Sequence, residues 1–261
     1  MKRSRIPLYF TVGVLVFFYL PLAIMAVQSF NDTRYGGPWA GFTLRWYQRL
    51  LADRAIWHAA RNTLIIGLTS TVVAMVVGTL AAFALHRYKS RLQPMHYVLV
   101  ASPLVVPDIL MGMSLLLFFV AIGRQLGLVT VIIAHITFCI GYVAMVVLAR
   151  LQDFDFSLME AAMDLGADWP TAVRRVLLPL LAPGIMAGGL LAFTLSIDDF
   201  VVTFFVAGPG ATTLSVHIYS MMKHGSPTVI NALSVILLGV TFVFVLLSQR
   251  LLHARQPETK P

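Results

Sequence analysis

Charge is what this chain has least of. Of its 261 residues only 11% are Asp, Glu, Lys or Arg, while 59% are apolar. A soluble domain runs near a quarter charged, so an ordinary water-soluble globule is excluded. Cysteine is almost absent as well. The single Cys139 rules out an intrachain disulfide and a thiolate metal site, and leaves packing as its role. No G-x-x-x-x-G-K-[ST] phosphate loop occurs, so nucleotide hydrolysis of that kind must come from another chain. The histidines lack zinc-like spacing. The period-2 alternation of a membrane barrel is missing too. What remains is an all-α integral membrane protein.

The apolar residues are gathered into runs long enough to cross the ~30 Å hydrocarbon layer as helices. Six spans are predicted, at about 8–30, 63–85, 97–122, 129–149, 184–206 and 229–252. The first follows Lys2-Arg-Ser-Arg5. It is longer than a signal-peptide core and ends in no small-x-small cleavage site, so it reads as an uncleaved span. With the N-terminus inside, the cytoplasmic flanks hold 12 of the 19 Lys and Arg residues: Lys2, Arg3, Arg5, Arg87, Lys89, Arg91, Arg150, Arg174, Arg175, Arg250, Arg255 and Lys260. The outer side holds 7, five of them between Asn31 and Asn62. The positive-inside rule therefore places both termini in the cytoplasm. The net charge of +8 is explained by basic flanks on anionic lipid and requires no nucleic acid.

The outer loop has a pattern of its own. From Thr43 to Arg61, Leu44, Tyr47, Leu50, Leu51 and, less regularly, Ile56 and Trp57 recur near helical spacing. This predicts a short interfacial helix that positions the second span. Asn62-Thr63-Leu64 then opens that span. Gly208-Pro-Gly210 forces an outer turn, and Leu214–Met222 reads as a further short helix.

Residues 150–182 form a polar island between the fourth and fifth spans. Ser157 and Glu160 have the spacing of a capping box. Gly166 can end the helix that follows, because glycine tolerates positive φ. Asp168 is placed to cap a second helix with Pro170 in its first turn. Pro179 and Pro183 are expected to break that helix before the fifth span. A small rigid helix pair with an Ala-rich, acidic tip suits a cleft on another protein.

Three carboxylates stand inside the predicted spans: Asp108 after Pro107, and the adjacent Asp198 and Asp199. An Asp near the bilayer centre costs about 2.5–3.5 kcal/mol on insertion scales. On one helix Asp198 and Asp199 would point about 100° apart. Three readings are open: a buried acid joining two helices, a proton relay, or a path for a cationic solute. Intramembrane ionisable groups default to function, and a solute with several ammonium groups would neutralise such a path. Ser196 is a further pathway candidate, with packing as its plain alternative. Phe193 and Phe200 could add cation–π attraction, and backbone carbonyls freed at Pro103 and Pro107 could accept hydrogen bonds. His135, inside the fourth span, reads as a packing histidine whose hydrogen bonds are satisfied.

Glu160-Ala161-Ala162, then Gly166, then Val176-Leu177-Leu178-Pro179 resembles the signature of ABC-importer permease subunits, with Val in place of Ile as the one departure. Ala101-Ser-Pro-Leu-Val-Val-Pro-Asp108, Leu191-Ala-Phe-Thr-Leu-Ser-Ile-Asp-Asp-Phe200 and Gly208-Pro-Gly-Ala-Thr-Thr-Leu214 narrow the resemblance to permeases of polyamine (putrescine/spermidine) importers. The resemblance implies a single permease domain over residues 1–261 with the type I importer fold and six transmembrane helices. It also implies a bacterial inner-membrane location. Glu160, Ala161, Ala162, Asp164, Gly166 and Pro179 would lie in coupling helices that dock on a separate ATPase subunit dimer. That dimer would bind ATP and Mg, so the permease is no enzyme and holds no cofactor of its own. A second homologous permease, a periplasmic substrate-binding protein and a polyamine are the remaining implied partners. An intramembrane aspartyl protease is disfavoured because Asp198 lacks the Gly-x-Gly-Asp context. A proton-coupled transporter is disfavoured because no internal repeat is visible.

Overall fold

In hydrocarbon a backbone must hydrogen-bond to itself. Every regular element of the structure, a computed structural model describing residues 6–223 and 227–253, is accordingly helical, apart from one isolated bridge between Asn31 and Phe42. Lys2, Arg3, Arg5, Arg255 and Lys260 of the orientation argument, and His224, lie outside the described residues. Four helices among the described residues are long and apolar enough to cross a membrane: Pro7–Gln28, Arg54–Arg87, Leu128–Gln152 and Trp169–Asp198. A bent pair, Gln93–Leu104 with Asp108–Ala121, makes a fifth crossing if counted as one span.

The chain divides into two compact units. The first comprises residues 1–56 and 218–261. In it α1 (Ile6–Gln28) and the short α2 (Arg45–Ala52) each pack against α12 (Pro227–His253). The connector from α1 to α2 closes around Asn31, which is fully buried. Its amide Nδ2 donates to Gln28 Oε1 at 2.8 Å and to the Pro38 carbonyl at 3.0 Å, while its Oδ1 accepts from Ala40 N–H at 2.8 Å. Trp46 Nε1–H donates to the Asn31 carbonyl at 2.8 Å. Thr228 at the start of α12 donates to the Thr33 carbonyl at 2.6 Å.

The predicted interfacial helix over Thr43–Arg61 needs correction. It ends at Ala52, and its buried face is Trp46 and Leu50, whereas Leu44 and Leu51 are exposed. Asp53 has extended backbone and its carboxylate accepts from Ala55 N–H at 2.9 Å. That cap starts a new helix, α3 (Arg54–Arg87). At 34 residues α3 is about 51 Å long, well beyond the hydrocarbon thickness. Asn62 therefore lies within α3 and does not open it.

The second unit, residues 57–217, is centred on α6 (Leu128–Gln152), which packs along α9 (Leu178–Asp198). Small residues permit the approach, as in other membrane helix pairs. A Cβ on Gly188 of α9 would touch the Val143 backbone at 3.4 Å, and one on Gly141 of α6 would press on the Val100 carbonyl at 2.7 Å. Val131, Ala134, Cys139, Val143, Val147 and Leu151 of α6 are fully buried. Cys139 packs as expected, its Sγ 3.5 Å from the Ala192 carbonyl.

Two predicted spans are interrupted. The third is no single helix: α4 (Gln93–Ala101) passes through a 3-10 turn at Ser102–Leu104, and α5 (Asp108–Ala121) leaves at 105° to it. Pro107 has ψ 135°, outside the helical region, and with no N–H it cannot continue the helical ladder. Its carbonyl instead accepts from Leu110 and Met111 N–H in the first turn of α5. The fifth predicted span, 184–206, stops at Asp198 and restarts as α10 (Val201–Val206). At its other end the expected break at Pro179 and Pro183 does not occur. The short α8 (Trp169–Ala172) runs through a π-helical segment, Val173–Leu177, directly into α9. The widened turn receives the ring of Pro179, which then sits in the first turn of α9, where its missing N–H costs little.

The turn after α10 is held from α3. Asn62 Nδ2 donates to the carbonyls of Gly210 and Thr212 at 2.9 and 3.0 Å, and Thr63 Oγ1 accepts from Leu214 N–H at 2.8 Å, at the start of α11 (Leu214–Lys223). Gly210 has φ +77°, as the turn signal required. Gly208 lies so close to the Leu126 carbonyl that a Cβ there would collide with it. Gly208→Ala should therefore lower stability by about 1–3 kcal/mol, the range for overpacking. Gly239→Ala, where a Cβ meets nothing within 4 Å, should not. Thermal unfolding of the two purified variants checks this.

Candidate functional site

The break at Pro107 and the break at Asp199 face the same space. A cavity of about 290 Å³ is lined by Asp108 from the start of α5, Asp198 and Asp199 from the end of α9, Phe200, and Phe138 and Tyr142 of α6. Pro103, Thr194, Leu195, Val201 and Val202 complete its wall, so no Lys or Arg is among the lining residues. Asp108 and Asp198 are exposed, and neither carboxylate takes a hydrogen bond or ion pair from the described residues.

Asp198 and Asp199 do not share a helix, which corrects the expectation of two acids splayed on one. Asp198 is the last residue of α9, and Asp199 is extended, with ψ 125°. Its carboxylate turns onto the start of α10, accepting from Val202 N–H at 3.2 Å, Thr203 N–H at 2.8 Å and Thr203 O–H at 2.7 Å. This is an N-cap. Fully buried His135 of α6 brings Nε2 to 3.3 Å from the same carboxylate. Ser196 does not line the cavity. It is buried beneath it, 2.7 Å from His135 Nδ1 and 3.2 Å from Ser70 Oγ of α3. The helical turn that presents Asp198 to the cavity points Ser196 toward α6 and α3. Phe193 is likewise not among the lining residues, whereas Phe200 is.

The segment between α6 and α9 folds as a helix pair. α7 (Ser157–Asp164) is anchored by Met159, 1% exposed, while Glu160, Ala161, Met163, Asp164 and Gly166 are exposed and Leu165 is 91% exposed. The capping box of Ser157 with Glu160 is not formed. Ser157 makes no side-chain cap bond, and Asp155, two residues earlier, accepts from Ser157 N–H at 2.9 Å. A carboxylate reaching forward two residues satisfies the free donor in an Asx-type turn. Gly166 ends α7 as expected, at φ +91°, with Gly166 N–H donating to Met163 and Ala167 N–H to the Ala162 carbonyl. These are the paired bonds of a Schellman motif. Asp168 caps α8 by accepting from Thr171 N–H at 3.2 Å. A cleft of about 830 Å³ between this pair and the end of α3 is lined by Glu160, Met163 and Trp169 on one side and Arg87 and Lys89 on the other. His86 stacks on Phe156 at 5.1 Å and ties the two sides together.

Sequence reasoning missed Tyr142 and Phe138 as cavity residues and His135 as the partner of Asp199. Tyr142 and His135 are seven residues apart, two helical turns, so they share one face of α6. That spacing was the available signal. Among the described residues no group of three or more His, Cys, Asp or Glu side chains could hold a metal ion.

Membrane-crossing helices around an acid-lined cavity, with a rigid helix pair projecting between two of them, define a membrane transport subunit. The chain belongs to the binding-protein-dependent transport system inner membrane components: residues 54–256 match that family. It is 41% identical over 240 residues to the spermidine/putrescine transport system permease protein PotC of Escherichia coli K12, covering 92% of this chain and 91% of that one. It is 41% identical over 230 residues to the putrescine transport system permease protein PotI of the same organism, covering 85% and 82%. In fold it matches a bacterial ABC transporter involved in import of the acidic polysaccharide alginate, with a TM-score of 0.73 at 16% identity over 95% of this chain and 98% of that one. It also matches the MetNI methionine ABC transporter, with a TM-score of 0.62 at 22% identity over 83% and 100%. The chain is thus a multi-pass subunit of the bacterial inner membrane with the ABC-importer permease fold.

The two caps in the helix pair generate a pH prediction. Hydrogen bonds from Ser157 hold the Asp155 carboxyl below the ordinary aspartate range, and bonds from Thr171 do the same for Asp168. Both contributions are complete above the unfolded aspartate value of about 3.9 and are lost as pH falls through the depressed folded values. Amide hydrogen exchange at Ser157 and Thr171, corrected for intrinsic rates, should therefore lose protection below that pH and hold steady above it.

Proposed function

We propose that this chain is the membrane permease subunit of an ATP-driven importer for polyamines, passing a putrescine- or spermidine-like cation across the inner membrane by alternating access. The observation that carries this reading is the cavity: Asp108, Asp198 and Asp199 around one space, aromatic faces beside them, and no Lys or Arg in its lining. Ammonium groups are attracted by the carboxylates and by the faces of Phe138, Tyr142 and Phe200. The polyamine permeases among its relatives support the choice of solute.

In this reading residues 1–261 form one permease domain of six spans. α1, α3, the α4–α5 pair, α6, the Trp169–Asp198 helix with α10, and α12 are the spans, with both termini in the cytoplasm. Residues 157–180 are the coupling helices. Glu160, Ala161, Asp164 and Gly166 present an exposed tip to an ATPase dimer, with the half-buried Ala162 supporting it from behind, and Pro179 sits at the joint with α9. The ATPase binds ATP and Mg. A second permease supplies the other half of the path, and a periplasmic binding protein delivers the polyamine. ATP binding must favour one access state over the other by several kcal/mol to switch the populations.

The test is uptake by the assembled transporter in proteoliposomes. Glu160→Lys and Gly166→Asp should lower polyamine uptake at least tenfold and weaken ATPase co-purification, with insertion unchanged; retained uptake and assembly in both would refute the docking role. Asp108→Asn and Asp198→Asn should each lower uptake several-fold without loss of assembly. Native uptake in both would return these acids to a structural role.

A further inference from the structure

One imidazole touches both sides of the break in the fifth run. His135 Nδ1 lies 2.7 Å from Ser196 Oγ in the last turn of α9, and Nε2 lies 2.9 Å from Thr203 Oγ1 in the first turn of α10. Between them stand Asp199 and Phe200. The protons fix the sense of one of these bonds. Thr203 donates its hydroxyl proton to Asp199 Oδ2 at 2.7 Å, so its lone pair faces the ring and Nε2 must be the donor. That N–H also lies 3.3 Å from Asp199 Oδ2. Asp199 therefore accepts from Val202 N–H, Thr203 N–H and Thr203 O–H, with the imidazole Nε2 beside it, so most of its acceptor capacity is met within the chain. Its side chain is 9% exposed, whereas Asp108 and Asp198 are exposed at the cavity.

We infer that His135 is a positioning residue of the transport path: with Thr203 and Asp199 it staples α9 to α10 across their break and holds Asp198 and Phe200 at the cavity wall. Asp199 then belongs to the staple, and Asp108 and Asp198 are the carboxylates that meet the cation. The division of labour among the acids rests on the pathway reading above. The staple does not depend on which solute passes.

A network that only filled space would tolerate an apolar ring of similar size. His135→Phe keeps a ring and loses both bonds, while His135→Gln keeps an N–H donor. Two measurements on the assembled transporter separate the readings. The first needs no solute. In Asp198→Cys the new thiol faces the cavity, and the fully buried Cys139 contributes little background. Its rate of modification by a cationic thiol reagent should change at least fivefold when His135→Phe is added and stay within twofold when His135→Gln is added. An unchanged rate in the Phe variant, at native amounts of inserted chain, overturns the staple. Should His135→Phe fail to insert, Thr203→Val, which removes the bridging hydroxyl alone, takes its place with the same expectation. The second measurement compares uptake of a diamine and a triamine. Asp108→Asn and Asp198→Asn should alter the ratio of the two rates at least threefold, because they change the charge the solute meets. His135→Phe and Asp199→Asn should slow both amines equally, and their double variant should be no slower than the worse single, since they disable one unit. A ratio shifted by Asp199→Asn as much as by Asp198→Asn would show that Asp199 meets the cation, and would overturn its assignment. Native transporter that moves neither amine would sink the polyamine reading, and the thiol measurement would still decide the staple.

Discussion

Hydrocarbon supplies no partner for a bare N–H or carbonyl, and each unsatisfied group there costs several kcal/mol. Several interior polar groups of this chain serve the places where its helices stop. Asp199 closes the start of α10, Asn62 closes the turn at Gly210 and Thr212, and the Pro107 carbonyl takes the first donors of α5. A side chain that repairs a break also fixes its angle. Polar residues in the spans therefore set the geometry of the path before they set its chemistry.

The same constraint sorts the three cavity acids. A carboxylate in a membrane span is costly unless donors replace its water. Asp199 receives three donors from within the chain and has His135 Nε2 3.3 Å away, so its charge is already met. Asp108 and Asp198 receive none from the described residues. They are left to water or to whatever enters the cavity. Three acids close in space thus divide into one that builds and two that wait.

Much of this was legible in the sequence, for identifiable reasons. Gly166 and Asp168 announced the turn and cap between α7 and α8 because their roles are local: a positive φ and a donor three residues ahead. Gly208-Pro-Gly210 was equally local. Five of the six apolar runs located membrane-crossing helices, the bent pair counted as one, because hydropathy needs no knowledge of neighbours. Reading failed where a tertiary contact decided the outcome. Run 97–122 is uniformly apolar, so its 105° bend showed only as two prolines. Pro179 and Pro183 carried the opposite signal, yet the helix continues, because a π-helical turn ahead of Pro179 removes the clash a regular helix would have had. The capping box at Ser157 was displaced by Asp155, a longer acceptor two residues away. His135 looked like packing because its partners, Ser196, Asp199 and Thr203, lie more than sixty residues along the chain.

The uninterrupted helix from Trp169 to Asp198 has a mechanical consequence. Thirty residues make a beam about 45 Å long, with α7 joined through its turn at one end and a cavity carboxylate at the other. A flexible hinge at Pro179 would have absorbed a push; a stiff lever magnifies it. Pivoted at its base, such a lever tilted by about 10° carries its tip roughly 8 Å, more than the width of an ammonium group. A modest rotation at the α7 end is thereby enough to shift the Asp198 wall of the cavity at the other.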